Sequence, residues 1–177
     1  MGNTIEVLAQ ALLKSGNTVV FSGAGMSTES GLPDFRSPNG LWGKHRPEDL
    51  ASTDALNRNF KQFAAFYRQR IETLGEVQPN RGHLILAEWE LKGLVSAVVT
   101  QNVDGLHQAA GSKTVHELHG TLRKVRCQSC GREFPAERFS SETTCAQCGG
   151  KLRPAVVLFG EMLPEKTLDE AMELAAY

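Results

Sequence analysis

The chain has 177 residues, 41% hydrophobic and 22% charged, with 19 Lys and Arg against 20 Asp and Glu for a net charge of -1. That length suits one domain with at most a small insert, and the near-neutral balance argues against a nucleic-acid binder acting through bulk charge, which needs a basic surplus or patch. Even the longest apolar runs are short, as in Ala155–Phe159, which excludes a membrane-spanning helix of about 20 apolar residues. The opening MGNTIEVLAQ has no basic segment or apolar core of a secretion signal. A cytoplasmic location is therefore expected, where a cysteine cluster reads as a metal or catalytic site rather than a disulfide framework.

In chain order, residues 3–14 predict a helix, with Asn3 as N-cap, Glu6 closing a capping box, and Ile5, Leu8, Ala9, Leu12 and Leu13 on one face. Thr18–Ser22 reads as a buried β-branched strand running into the turn Gly23-Ala24-Gly25. Residues 26–59, rich in Gly and Pro, read as a long loop with short helical pieces, a kind of loop that usually carries function. Phe60, Phe63, Ala64, Tyr67, Ile71 and Leu74 form a helical stripe, and Pro79–Lys92 predicts another helix stopped by Gly93. Leu94–Thr100 and Ala155–Phe159 read as strands, and Pro164–Tyr177 as an amphipathic helix. The alternation of strands and helices predicts an α/β fold with a Rossmann-like parallel sheet. Residues 123–153 break the pattern and are expected to be a small zinc-ribbon insertion, leaving 1–122 and 154–177 as the nucleotide-binding domain.

The insertion holds Cys127-x2-Cys130 and Cys145-x2-Cys148, with 14 residues between the pairs. Two such knuckles let four thiolates converge on one Zn²⁺. Four protein ligands close the shell, so the expected ion, one per chain, is structural and takes no part in chemistry. A zinc ribbon alone also fits a non-catalytic interaction module.

Gly23-x-Gly25 follows a strand, as a phosphate-cradling turn does, but the third glycine of the dinucleotide fingerprint is replaced by Thr28. More specific are the longer runs: Gly23-Ala24-Gly25-Met26-Ser27-Thr28-Glu29-Ser30-Gly31-Leu32-Pro33-Asp34-Phe35-Arg36-Ser37, then Gln101-Asn102-Val103-Asp104-Gly105-Leu106-His107, Glu117-Leu118-His119-Gly120, and Arg153-Pro154-Ala155-Val156-Val157-Leu158-Phe159-Gly160-Glu161. Together with the cysteine knuckles these closely resemble the sirtuins, NAD-dependent protein lysine deacylases, in a bacterial or archaeal form.

The resemblance implies a set of roles. Gly23, Ala24 and Gly25 would let the NAD pyrophosphate approach the backbone. Asp34, Phe35 and Arg36 would belong to a cofactor loop in which Phe35 shields the reacting ribose carbon. Gln101 would face the ribose, Asp104 would hydrogen-bond the nicotinamide carboxamide, and Asn102 would order the pocket. His119 would be the general base, an imidazole able to take a hydroxyl proton at neutral pH. Val157, Phe159, Gly160 and Glu161 would line the acyl-lysine cleft, where the substrate adds as a strand. The other histidines, His45, His83, His107 and His116, read as structural.

The implied reaction passes the acyl group of a modified lysine to ADP-ribose, giving nicotinamide, O-acyl-ADP-ribose and free lysine. Tyr67 and Arg70 share a helix face and resemble the Tyr-x-x-Arg pair of sirtuins that remove succinyl or malonyl groups; an apolar stripe with a solvated flank is the alternative. The expected partners are acylated-lysine proteins or peptides, without nucleic acid or membrane, and the sequence leaves the oligomeric state open. An NAD-dependent protein ADP-ribosyltransferase remains an alternative activity. Sirtuins continue with further strands that grip the adenosine half of NAD, so the expected sheet is incomplete at its C-terminal side.

Overall fold

The computed structural model describes residues 2–35, 37–38, 40–43 and 46–176. Helix α1 (Gly2–Lys14) takes in Asn3, expected as its cap. Its apolar stripe lies open, with Ile5 and Leu8 each 71% exposed. Strand β1 (Val19–Ser22) leads into a 3-10 segment, Ala24–Ser30. Short helices α2 (Pro47–Leu50) and α3 (Thr53–Arg58) punctuate the long loop as expected. Helix α4 (Phe60–Glu76) follows, then α5 (Arg81–Leu91), which starts two residues later than expected because Asn80 caps it: the Asn80 side chain accepts from Gly82 N and His83 N.

Strands β2 (Ala97–Thr100) and β3 (Val115–Glu117), separated by α6 (Leu106–Ala110), complete a parallel sheet in the order β1-β2-β3. Its register sets Val20 beside Val98 and Val99 beside His116. The central β2 is buried throughout, as a strand covered on both faces must be. β1 is less buried than the sequence predicts, with Phe21 63% exposed.

A second, antiparallel sheet follows: β4 (Gly120–Cys127) between β5 (Glu133–Pro135) and β6 (Leu152–Val156). The strand expected at 155–159 thus begins three residues earlier and belongs to this sheet, not to the parallel one. β6 is an edge strand, which is why Pro154 is tolerated inside it. Helix α7 (Arg138–Ser141) lies within the cysteine-rich stretch, and α8 (Glu165–Ala175) packs on β3.

The main core joins the two halves. Phe63, Ala64, Tyr67, Ile71 and Leu74, the predicted stripe of α4, are buried with Leu122, Val125, Phe139, Leu152 and Val156 of the antiparallel sheet and its helix. Each large apolar side chain buried this way contributes about 1.5–3 kcal/mol. Cys127 and Cys145 sit in the same cluster, so the metal-ligand end of the sheet belongs to the core that α4 helps to build. Among the described residues no helix is long and apolar enough to cross a membrane.

Candidate active site and metal centre

Three parallel strands deliver the site. β1 ends at Gly23-Ala24-Gly25, β2 at Gln101–Asp104, and β3 just before His119. The carboxyl ends of parallel strands are where α/β sheets bind ligands. A Cβ built at Gly23 or Gly25 meets nothing within 4 Å, so open space lies against the turn where a pyrophosphate needs backbone approach.

Two adjoining cavities open here. The smaller, about 290 Å³, is lined by Ala24, Phe35, Arg70, Asn102 and Asp104 among others. Asn102 and Asp104 are buried, at 5% and 6% exposure. Ser27 ties them together: its hydroxyl donates to Asp104 Oδ2 at 2.7 Å and accepts from Asn102 Nδ2 at 3.0 Å. Asp104 Oδ1 accepts from Leu106 N at 2.9 Å. A carboxylate has about four lone-pair sites, so acceptor capacity remains toward the cavity.

The larger cavity, about 720 Å³, is bounded by Phe35, Gln101 and His119 on one side and Tyr67, Val157, Phe159, Gly160 and Glu161 on the other. His119 Nδ1 lies 3.1 Å from Gln101 O. A carbonyl oxygen only accepts, so Nδ1 is the donor of this bond, which in the neutral ring makes Nε2 the acceptor nitrogen. Gly120, at φ 70°, brings the chain close to β6: a Cβ there would sit 2.2 Å from Ala155 O, so no larger residue fits beside the histidine.

Asp34 also lines the larger cavity, and its Oδ1 accepts from Ser37 N at 2.9 Å. Phe35 stacks on Trp42, with ring centroids 5.8 Å apart. Arg36 lies outside the described residues, as does His45. The Arg70 guanidinium faces three rings, Phe66 at 5.6 Å and Phe35 and Tyr67 at 5.9 Å. Burial lowers the pKa of Arg70 and pushes the Tyr67 phenol up to about 12, so that hydroxyl stays protonated.

Beneath the strand ends lies a polar layer. Ser22 Oγ donates to Thr100 Oγ1 at 2.8 Å and lies 2.9 Å from His107 Nε2. The His107 ring packs edge-on to His83, centroids 4.8 Å apart. Burial, reinforced by the neighbouring His83, pushes His107 down to about 4.

The four cysteines converge apart from these cavities. Their sulfurs all lie within 4.8 Å of one another, with Cys127 to Cys148 at 3.4 Å and Cys130 to Cys145 at 3.9 Å. A disulfide needs about 2.05 Å, whereas a tetrahedral ZnS₄ site at a Zn–S distance of about 2.3 Å has edges of about 3.8 Å. The donor set and spacing fit zinc. Backbone amides of Cys130 and Ser129 lower the Cys127 thiol to about 6, while the neighbouring sulfurs push Cys148 up to about 12, so a metal binding here must displace protons from the set.

Comparison with known proteins decides the lineage. The Sir2 family model matches residues 23–176. The NAD-dependent protein deacetylase of Oceanobacillus iheyensis is 57% identical over 161 residues, covering 90% of this chain and 68% of that protein. The NAD-dependent protein deacylase of Pyrococcus furiosus is 48% identical over 176 residues, covering 95% and 70%. The crystal structure of a Sir2 homologue–NAD complex superposes with a TM-score of 0.88 at 44% identity, covering 96% of this chain and 67% of that one. The chain belongs to the Sir2 family.

In this Sir2 chain the cofactor and substrate residues singled out from the sequence line two adjoining cavities, apart from Arg36, outside the described residues, and Gly23 and Gly25, which flank the lining residue Ala24 in the chain. Glu161 lines the larger cavity, but its carboxylate is bonded to Arg153. Sequence reasoning assigned no role to Ser27, although it lies inside the glycine-turn motif, and it read His107 as structural without joining it to Ser22 and Thr100, which lie 85 and 7 residues away along the chain.

Proposed function

We propose that this Sir2 family member is an NAD-dependent protein lysine deacylase acting on acylated lysines of other proteins in the cytoplasm, with products nicotinamide, O-acyl-ADP-ribose and free lysine. The observation that carries it is one cavity joining the open glycine turn, through Ala24 and Phe35, to His119 and on to the Val157–Glu161 edge. NAD supplies the ADP-ribosyl acceptor and its nicotinamide leaving group.

The chain's own residues then divide the work. Gly23, Ala24 and Gly25 leave room for the pyrophosphate, with Asp34 and Arg36 on the adjoining loop. Asn102 and Asp104, locked by Ser27, present polar atoms to the carboxamide, and Gln101 meets the ribose. Phe35 closes the reacting face against water. With Nδ1 held by Gln101 O, His119 Nε2 accepts a ribose hydroxyl proton. Val157, Phe159 and Gly160 receive the acyl-lysine chain as an added strand. Cys127, Cys130, Cys145 and Cys148 hold a structural zinc. Residues 123–153 act as a zinc module sharing β4 and β6 with the nucleotide-binding unit of 1–122 and 154–177.

Tyr67 and Arg70 extend the proposal to acidic acyl groups. Among the described residues Arg70 forms no ion pair. A desolvated guanidinium lining both cavities, beside a protonated phenol, is a fork for a carboxylate.

Mass spectrometry of a panel of acyl-lysine peptides with NAD tests the reading. Nicotinamide release in step with loss of the acyl group, only when acyl-lysine is present, is the expected result. Label passing from NAD onto protein would make it a transferase, and absence of any NAD chemistry would leave an interaction module.

A further inference from the structure

Arg153 is a charged side chain with 0% of its surface exposed. Its Nη1 donates to Glu161 Oε1 at 2.5 Å, and Nη2 to Glu161 Oε2 at 2.9 Å and Val156 O at 2.5 Å. Nε reaches Pro154 O at 3.3 Å. Glu161 Oε2 in turn accepts from Leu158 N at 2.9 Å, and Glu161 N donates to Leu158 O at 2.9 Å. Gly160, at φ 92°, closes that reciprocal turn. A second cation, Arg126 on the neighbouring strand, lies 3.7 Å from Glu161 Oε1.

Burying such a pair costs more desolvation than its attraction reliably returns, and a well-packed apolar pair often stabilises as well or better. Fold stability alone therefore does not account for it. Geometry does, because no apolar side chain can cap Leu158 N or hold Val156 O. The same few residues are fixed from outside. Val157 N donates to His119 O at 2.9 Å, Phe159 N donates to Ala51 O at 3.0 Å, and Phe159 O accepts from Thr53 N at 3.1 Å. The amides of Val157, Leu158, Phe159 and Glu161 are all committed within the fold, so an incoming strand pairs with this edge through its remaining main-chain groups, the Val157 carbonyl and the Gly160 amide.

We propose that Arg153 and Glu161 are positioning residues that lock the Val157–Glu161 edge in its peptide-receiving shape before substrate arrives. The inference rests on the deacylase reading above. An edge already ordered spares the incoming strand the entropy of ordering it, so the pair acts on peptide affinity rather than on the chemical step.

Three variants test this: Arg153→Met, Arg153→Lys, and the double variant Arg153→Met/Glu161→Met. Each is measured for melting temperature, for amide hydrogen exchange at Leu158 and Phe159, and for KM and kcat with an acetyl-lysine peptide. Arg153→Met leaves the Glu161 carboxylate only the longer contact to Arg126 and should melt lowest. The double variant leaves no stranded charge and should regain most of the parent's melting temperature. It should still exchange Leu158 faster and raise peptide KM by about tenfold, the weight of one charge-assisted hydrogen bond, with kcat nearly unchanged. Arg153→Lys keeps the charge without the fork and should fall between.

A double variant with parent-like exchange and KM overturns the proposal, as does a loss confined to kcat. Failure of Arg153→Lys to fold also overturns it, since the pair would then hold the fold itself. If the parent deacylates nothing, the deacylase reading fails, while the exchange rates at Leu158 and Phe159 still report on the clamp.

Discussion

The parallel sheet and the antiparallel sheet meet the cleft from opposite sides and are held by different means. Around the strand ends of β1 and β2, buried polar side chains hold one another: Ser27 with Asn102 and Asp104, and Ser22 with Thr100 and His107. Across the cleft, the sheet of β4 and β6 is anchored by four cysteine sulfurs beyond the Cys127–Leu152 pair and by Arg153, one pair further in, on Glu161. The cofactor side can therefore lose one hydroxyl or imidazole and remain folded, whereas the zinc side depends on a bond to metal. Catalytic effects and folding effects should separate along this line.

The sharpest break is expected on the metal side. Cys127→Ala, or chelation, removes binding energy that in small zinc modules amounts to about 10–16 kcal/mol and is also folding energy. The module should unfold, with a large drop in melting temperature and loss of turnover. Protein purified without chelator yet containing no zinc would defeat this expectation.

His119→Ala should do the reverse, lowering deacylation by about 10²- to 10⁴-fold with circular dichroism and zinc content unchanged. Near-full turnover in that variant would remove the histidine from the chemistry.

A smaller effect is expected where the two sides touch. A hydrogen bond to a charged group is worth about 1.5–3 kcal/mol, so Arg70→Met should lower desuccinylation by roughly 10- to 100-fold and spare deacetylation. Equal loss of both activities, or no desuccinylation by the parent, would return Tyr67 and Arg70 to plain packing.

The mildest test is pH. His107 titrates at about 4 when folded, against 6.5 in the unfolded chain. Between these values the unfolded state takes up the proton first, so stability falls as the solution is acidified from pH 7 toward 4. His107→Gln should flatten that part of the melting-temperature profile, and an unaltered slope would show that other groups set it.

The sequence made some of this legible because the signal was local. The cysteine spacing, the α4 stripe and the glycine turn each lie within a short span and appear where expected. β3 was missed because three residues including His116 and Glu117 carry no apolar run. β6 was displaced because Arg153 and Pro154 look foreign to a strand until Glu161 and an edge position are supplied by the fold. The open stripe of α1 shows the converse, since periodicity predicts a face without saying what covers it. Ser22, Thr100 and His107 meet only across distant segments, and no single window of sequence contains that relation.

Strand order has a consequence in time. Strands β4 and β5 are close along the chain, with Lys124 and Glu133 nine residues apart, whereas β1 meets β2 with Ser22 and Thr100 separated by 78 residues. Closing a long loop costs more entropy than closing a short one, and distant pairings slow folding. During refolding with metal present, pulse labelling should find the amides of β4 and β5 protected before those of β1. The nucleotide pocket would then assemble last, against a scaffold already in place.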